Sequence, residues 1–416
     1  MKKHITLIFF LLLISGTISF SCTTAVISGK YTKNGRPMLW KHRDTNALNN
    51  KIVVLHDGKF SYTGLVNSAD SLGKSIWIGF NEKGFAIMNS ASYNLNNDTI
   101  NQSGLEGRLM KKALQTCATI DDFENMLKDI DKPSQLEANF GLIDAKGGAA
   151  YFELGNFSYV KFDANDPKTA PYGYILRTNY SVSGKMGIGG GYIRYETAEK
   201  VFNTAVELNQ LSPKTIIQNA SRNLTHSLTR IDLADYSNLK ENTQTMVYFE
   251  DFIPRKLTSS SIVIEGVKEK EKSEYTTMWT VLGWPLGSVA IPVWLNKKAE
   301  IPGILQYNKQ IKDAPMCAMA LEAKKLCFPY NWGTSSKHYM DGNALLNADN
   351  SGVLQLILPL ENLLFEKADK ILNNWRINKI DINKMKEFYD WVDTEVPDYY
   401  NETLHVNFKT SNQNNK

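Results

Sequence analysis

Ser19-Phe20-Ser21-Cys22-Thr23-Thr24 follows a lysine pair, Lys2 and Lys3, and the apolar run Ile5 to Ile14. That run is too short to span a bilayer comfortably, and Ser19 and Ser21 supply the small residues that a signal peptidase cuts after. The sequence therefore predicts a leader over residues 1–21 and a mature chain beginning Cys-Thr-Thr. A cut there leaves two reactive groups on one residue, the Cys22 thiol as nucleophile and its α-amino group as base. A free thiol titrates at about 8.5 and an α-amino group at roughly 7.7–8.0, so near neutral pH the amine can take the thiol's proton. No separate histidine is needed. Such a residue does need a group that orients its amine and donors for the oxyanion of a tetrahedral intermediate. Two other readings of Cys22 stand beside this one: an incidental residue near a cleavage site, and a lipid-anchored cysteine. Ser19 stands where a lipid-attachment motif usually has an aliphatic residue, and Phe20 is bulky for it.

Outward from Cys22, Thr23 to Ser28 and Met38 to Lys41 read as strands around Asn34-Gly35, a strong hairpin signal. A two-residue turn there sets Cys22 opposite Ala47, with Asp44 three residues away, about 10 Å at roughly 3.3 Å per residue. Asp44 then becomes the candidate for holding the charged amine, against its plainer reading as a surface aspartate at a strand end. Two more hairpins follow, Ile52–His56 with Phe60–Leu65 and Ser75–Phe80 with Phe85–Asn89. Ser103-x-x-Glu106 caps the helical stripe Met110, Ala113, Leu114, Cys117, and Thr119 with Asp121 and Asp122 opens a second helix. Strands return at Phe140–Ile143, Ala149–Leu154, Tyr159–Phe162 and Tyr174–Thr178. Tyr195 to Val206 has helical spacing, Ser212-Pro213 starts another helix to about Asn223, and strands resume at Ser261–Ile264 and Thr277–Leu295. Beyond about residue 300 the pattern is helical, over Ala314–Leu326, Leu360–Trp375 and Ile382–Val392. Strands, paired helices and strands again favour stacked sheets covered by helices.

Hydrophobic residues make up 43% and charged residues 22%, with a net charge of +4 and no dense basic run, so nucleic acid is not a predicted partner. No stretch after the leader approaches a membrane span. Four cysteines, Cys22, Cys117, Cys317 and Cys327, are too few for a disulfide scaffold. Cys117 continues an apolar stripe, and Cys317 and Cys327 lie about 15 Å apart if one helix carries both, so they pair only if that helix breaks. The histidines and cysteines lack metal-ligand spacing, and neither a metal nor a cofactor is expected. His42-Arg43-Asp44 with Asn49 matches a kinase catalytic-loop expression by chance, since no room precedes it for an ATP-binding lobe. Gly187-Ile188-Gly189-Gly190-Gly191 lacks phosphate-loop spacing and reads as a loop near the substrate or a surface turn. The tryptophans Trp279, Trp284 and Trp294 read as core.

Cys22-Thr23-Thr24, the hairpin, and Lys41-His42-Arg43-Asp44 together resemble the opening of the choloylglycine hydrolase and acyl-CoA:6-aminopenicillanic acid acyltransferase group, N-terminal-nucleophile hydrolases of linear amides. Asn81-Glu82-Lys83-Gly84-Phe85-Ala86 leading to Asn89 resembles the second block of that group. Asn139-Phe140-Gly141-Leu142-Ile143-Asp144 leading to Glu153 resembles its middle strands. Arg177-Thr178-Asn179-Tyr180 and Gly190-Gly191-Tyr192-Ile193-Arg194-Tyr195 resemble the blocks carrying its oxyanion-hole asparagine and active-site arginine. The resemblance covers about residues 22–300. It implies an α+β fold, a four-layer αββα sandwich of antiparallel sheets, with Cys22 at a strand start and a helical elaboration at the C-terminus. By the same resemblance Cys22 is nucleophile and base, Asp44 orients the amine, Asn179 donates to the oxyanion, Asn89 assists and Arg194 supports the site. Lys41 stands where bile-salt-type members carry an arginine, with Arg43 as the neighbouring cation, which turns the expectation away from a bile-salt substrate.

The sequence thus predicts a leader at 1–21, an N-terminal-nucleophile domain at 22–300, a helical extension packed on it at 301–408 and a disordered tail at 409–416. The expected function is an exported hydrolase, periplasmic or secreted, acting on a small-molecule N-acyl amide. Acyl transfer to an amine and a non-catalytic lipid-anchored binding protein are the alternatives, and a homo-oligomer stays open.

Overall fold

A computed structural model of the protein describes residues 21–100, 104–296, 300–330 and 338–406. The leader prediction falls on residues 1–20 and the tail prediction on 409–416, both outside the described residues, as is Ser103.

Two antiparallel sheets form the centre. One is built from β1 (Cys22–Ile27) and β2 (Met38–Asp44); the other takes the next seven strands in chain order, β3 (Asn50–Leu55), β4 (Tyr62–Asn67), β5 (Ile78–Asn81), β6 (Ala86–Ala91), β7 (Ala138–Ile143), β8 (Ala149–Leu154) and β9 (Tyr159–Asp163). The chain then returns to the first sheet with β10 (Tyr174–Arg177), makes the short β11 (Met246–Tyr248), and completes that sheet with β12 (Thr258–Glu265), β13 (Thr277–Leu282) and β14 (Ile291–Val293). The first sheet has the order β10-β1-β2-β12-β13-β14, so β1 and β2 lie inside it. Strand β15 (Tyr339–Asp341) pairs with β11 in a separate ribbon. Strands inside a sandwich are covered on both faces, which is why β1 and β2 are buried at every position and read as near-continuous runs rather than alternating ones.

The sheets face one another through β1 and β2 against β6 and β7. On the outer face of the seven-stranded sheet lie α1 (Glu106–Thr116) and α2 (Ile120–Lys128). Met110, Ala113 and Leu114 of α1 share a core with Tyr62, Ile87 and Phe140, and Phe123 of α2 meets Phe152 edge-on at 5.4 Å. Thr119 and Asp122 form the capping box that starts α2. The outer face of the other sheet is covered by α3 (Tyr192–Glu207), where Phe202 stacks on Trp40, and by α4 (Pro213–Thr215), which continues as a π-turn over Ile216–Ser221. Two helical layers therefore enclose the two sheets as αββα.

The chain after residue 300 adds α5 (Pro315–Cys327), α6 (Gly342–Leu345), α7 (Val353–Ile377) and α8 (Ile382–Thr403). These helices join the core of the six-stranded sheet: Phe365 stacks on Trp279 at 4.3 Å, and Trp375 meets Trp294 at 4.8 Å. A buried ion pair, Arg222 with Glu361, ties the π-turn region to α7 at 2.5 Å.

Two expectations are corrected and one open pairing is decided. Cys22 pairs with Arg43, not with Ala47, because the β1–β2 connection is not a two-residue turn: a 3-10 turn over Gly29–Tyr31 precedes Gly35, whose φ of +75° is used inside a longer loop. Thr277–Leu295 is not one strand; Gly283 at φ +75° and a 3-10 turn over Pro285–Gly287 separate β13 from β14. Cys317 and Cys327 sit on one unbroken helix, and all four cysteines are free.

Candidate active site

Cys22 opens β1 at the edge of the inter-sheet space. Directly paired residues of antiparallel strands share a face, so Cys22 and Thr24 lie on the same face as Arg43 and Lys41. The alternate residues, Thr23, Trp40, His42 and Asp44, face α3.

Ser21 is joined to Cys22 here, so the nitrogen of Cys22 is a peptide N–H, and it donates to Asn179 Oδ1 at 3.1 Å. The same oxygen accepts from Ser21 Oγ at 2.7 Å and from Arg194 Nη2 at 3.0 Å, while Asn179 Nδ2 donates to Ala91 O at 3.1 Å. A guanidinium only donates and a carbonyl only accepts, so the carboxamide orientation is unambiguous. The geometry presents Asn179 Oδ1 to the Cys22 nitrogen as an acceptor, a contact separate from the oxyanion donation expected of the amide nitrogen. Asn179 holds its place because it follows β10, with its backbone bridged to Gly190, and because Asn94 pins the following loop through the backbone of Ser181 and Lys185.

Arg194, on the first turn of α3, completes this cluster. Its Nη1 donates to Cys22 O at 2.8 Å and to Thr23 Oγ1 at 2.7 Å, and its Nη2 also bonds Ser21 Oγ. Gly191, at φ +88°, opens that helix; a side chain there would run into the Arg194 guanidinium, so the glycine is required by both conformation and space.

Asp44 lies one residue beyond the partner of Cys22. Its backbone N–H donates to Ser21 O at 3.0 Å. Its carboxylate turns to the helical side, paired with Arg255 at 2.5 Å and accepting from Thr258 Oγ1 at 2.6 Å. Asp44 is thus brought beside the Ser21–Cys22 bond, closer along the strand than expected, with Arg255 as its cationic partner. Burial holds His42 down at about 4; it makes no full hydrogen bond, the backbone of Ile253 being its polar neighbour.

On the inter-sheet face, Lys41 Nζ donates to Asn89 O and Asn89 Oδ1, each at 2.6 Å. Arg43 donates to Asn50 Oδ1 at 2.6 Å and Asn67 Oδ1 at 2.9 Å, with its guanidinium 4.8 Å from the Trp77 ring centre. Lys41, Arg43 and Arg194 are all buried, and among the described residues none has a carboxylate within ion-pair distance. Buried cations with only neutral partners are costly, and three of them around one cysteine make a setting that suits negative charge in a reacting group. All seven residues singled out in the sequence, Cys22, Lys41, Arg43, Asp44, Asn89, Asn179 and Arg194, therefore gather at one end of the sandwich.

The sequence reading missed Arg255 and Thr258, and named Glu153 only as the end of a block, without a role. Glu153 ion-pairs with Arg177 at 2.6 Å and takes the backbone N–H groups of Val182 and Ser183, bracing the loop after Asn179. The pairing of Glu153 with Arg177, 24 residues apart, carries no local spacing, and nothing in the local sequence pointed to Arg255 or Thr258. No group of three or more His, Cys, Asp and Glu able to hold a metal occurs among the described residues, and none of their helices is long and apolar enough to cross a membrane.

The sequence profile of the acyl-coenzyme A:6-aminopenicillanic acid acyl-transferase family matches residues 33–281. No curated protein matches the chain. Solved structures similar to it include a variant of conjugated bile acid hydrolase from Clostridium perfringens, at 12% identity and TM-score 0.43 over 67% of this chain and 94% of that one. Penicillin V acylase from Agrobacterium tumefaciens aligns at 13% identity and TM-score 0.40, over 67% and 90%. A Caenorhabditis elegans ortholog of N-acylethanolamine-hydrolyzing acid amidase aligns at 14% identity and TM-score 0.37, over 58% and 92%.

Proposed function

Because this chain belongs to the acyl-coenzyme A:6-aminopenicillanic acid acyl-transferase family, we propose that it is an exported enzyme acting on linear, non-peptide N-acyl amides through an acyl-enzyme on Cys22. The observation that carries the proposal is the Cys22 nitrogen seated on Asn179 Oδ1, with Arg194 bound to both residues. A nucleophile that uses its own amine as base needs that nitrogen held by an acceptor.

Removal of the leader at Ser21 converts the peptide N–H into an amine. The amine takes the thiol's proton, sulfur attacks the substrate carbonyl, and the negative charge passes to the carbonyl oxygen. Collapse breaks the carbon–nitrogen bond, the leaving amine receives the proton, and the acyl group stays on sulfur as a thioester. Water, activated by the same amine, then releases the acid. Asn179 and Arg194 hold Cys22 through both half-reactions, and the Asp44 carboxylate supplies the nearby negative charge that a protonated amine requires. The buried cations Lys41 and Arg43 favour the anionic intermediate.

Net transfer of the acyl group to an amine is the second reading, favoured by the acyl-transferase description of the matching family. Partitioning of the acyl-enzyme between water and an added amine separates the two. The reading itself is tested on a panel of N-acyl amino acids, N-acyl homoserine lactones, penicillin V and conjugated bile salts, compared by kcat/KM. Simple N-acyl amides are expected to outrank bile salts, given Lys41. Turnover that is indifferent to the acyl chain and discriminates only among leaving amines would overturn the view that Cys22 retains the acyl group in its own pocket.

A further inference from the structure

We propose that Asp313 is a positioning residue of the active site: through the paired strands that carry Asn50 and Asn67 it fixes Arg43 beside Cys22. The segment after residue 300 then works in the chemistry as well as covering the sheet. The inference rests on the reading of Cys22 as the nucleophile. Arg43 is buried and is the direct strand partner of Cys22. Its Nη1 and Nη2 go to two carboxamide oxygens, Asn50 Oδ1 at 2.6 Å and Asn67 Oδ1 at 2.9 Å, so its charge is not neutralised. Asn50 and Asn67 face each other at the open end of the β3–β4 hairpin. The neighbour of each, Asn49 and Ser68, is bound by one carboxylate. Asp313 Oδ2 accepts from Asn49 Nδ2 at 2.6 Å, and Asp313 Oδ1 accepts from Ser68 Oγ at 2.5 Å. A backbone bond from Ser68 N to Asn49 O at 2.9 Å closes the ring. Asp313 is itself buried, and it also takes the N–H of Ala314 at 2.9 Å.

Helix α5 continues the grip. Cys317 Sγ accepts from Asn50 N and donates to Leu48 O, each at 3.4 Å. Burial, with Asp313 beside it, pushes that thiol well above its ordinary range, so it keeps the proton that the bond to Leu48 O uses. Further along the helix, Lys324 donates to the backbone carbonyl of Lys256, next to the Arg255 that pairs with Asp44. The family profile ends at residue 281, so Asp313, Cys317 and Lys324 all lie outside the matched segment. A carboxylate that seats the neighbours of both acceptors of one buried arginine sets where that positive charge lies relative to the Cys22 sulfur. The distance matters, because the attraction of an anion to that charge falls with separation and is weakly screened where the site is dry.

The test reads the charge rather than the fold. Cys22 of the mature enzyme is alkylated with neutral iodoacetamide and with anionic iodoacetate, and the adduct on the Cys22 peptide is followed by mass. Both reagents meet the same sulfur, so a general loosening changes the two rates alike, whereas displacement of Arg43 lowers the ratio of iodoacetate to iodoacetamide. Arg43→Met should lower that ratio at least about threefold, less than one unit charge at contact distance supplies even in water. Asp313→Ala should lower it in the same direction, and lower kcat for an N-acyl amide with little change in KM. In the Arg43→Met background Asp313→Ala should change the ratio no further, because Asp313 acts through Arg43. Asp313→Asn keeps the shape, and Asn49 can meet it by turning its carboxamide, so most of the ratio should return. A ratio unmoved by Arg43→Met or by Asp313→Ala overturns the inference. So does an equal fall in both backgrounds, or an Asp313→Asn no better than Asp313→Ala. If Asp313→Ala or Arg43→Met does not fold, Asn49→Ala decides, since Asn49 is exposed and gives up one of the two grips: a lowered ratio is expected, and an unmoved one overturns the inference. Cys22→Ala is assayed for turnover in parallel. If it retains turnover, the nucleophile reading itself falls; if it is inactive while the ratio stays unmoved, only the role given to Asp313 falls.

Discussion

The side-chain oxygen of Asn179 accepts a hydrogen bond from the backbone nitrogen of Cys22 at 3.1 Å, across 157 residues of sequence. That oxygen also takes Arg194, so the acceptor is shared between the nucleophile's nitrogen and the cation that holds its carbonyl. Asn179→Asp keeps the acceptor and Asn179→Leu removes it, while both lose the bond to Ala91 O. Asn179→Asp should therefore retain at least about tenfold more kcat than Asn179→Leu, since a hydrogen bond to a charged group is worth roughly 1.5–3 kcal/mol. Equal rates in steady-state assays would show that the oxygen does not hold the amine.

Cys22→Ala should abolish amide cleavage and leave the circular dichroism spectrum and melting temperature near wild type. Residues retained ahead of Cys22 should silence the enzyme as well, because an amide nitrogen is not a base. Turnover at the mature rate by a chain with Ser21 still attached would remove the α-amine from the mechanism.

His42 gives the fold an acid sensitivity. Its imidazole is held at about 4 by burial, against an ordinary value of 6.5. Between these values the unfolded chain binds the extra proton, so stability rises with pH there and is lost as pH falls from about 6.5 to about 4. The loss attributable to His42 is on the order of 3 kcal/mol. Urea midpoints at pH 7 and pH 4.5 should fall less steeply in His42→Leu than in wild type. Identical acid losses in the two proteins would dissociate the effect from His42.

The Arg222–Glu361 pair, at 1% and 0% side-chain exposure, fastens α7 to the sandwich. Glu361→Ala leaves a buried guanidinium without its counter-charge and should cost about 3–5 kcal/mol in chemical denaturation. Replacing both residues by apolar ones of similar volume should recover much of that. A single variant within about 1 kcal/mol of wild type would mean that Arg222 finds relief in the carbonyls of Pro285 and Ser288, which it also binds.

Turn residues and period made most strands and helices of residues 50–154 legible, because Asp57-Gly58 and Asn81 to Gly84 are local signals for local connections. The β1–β2 register was not legible: Asn34-Gly35 is a good turn pair, but the 3-10 turn at Gly29–Tyr31 moves the midpoint of the loop, and a shift there changes what faces Cys22. The site residues could be picked out as blocks in order, yet not how they are oriented. Arg255 meets Asp44 from 211 residues away, Lys41 reaches the Asn89 oxygen from the facing sheet, and Asn179 turns its oxygen to Cys22 only because Arg194 and Ala91 reach it in space. Such contacts carry no period and no spacing.

The central claim is a free α-amine on Cys22, and intact mass with N-terminal sequencing of the exported protein tests it most directly. The account predicts a chain that begins Cys22-Thr23-Thr24 with an unmodified amine and, after incubation with an N-acyl amide substrate, a transient acyl adduct on that residue. A chain that begins elsewhere, or a Cys22 carrying a lipid or a blocked nitrogen, would contradict it.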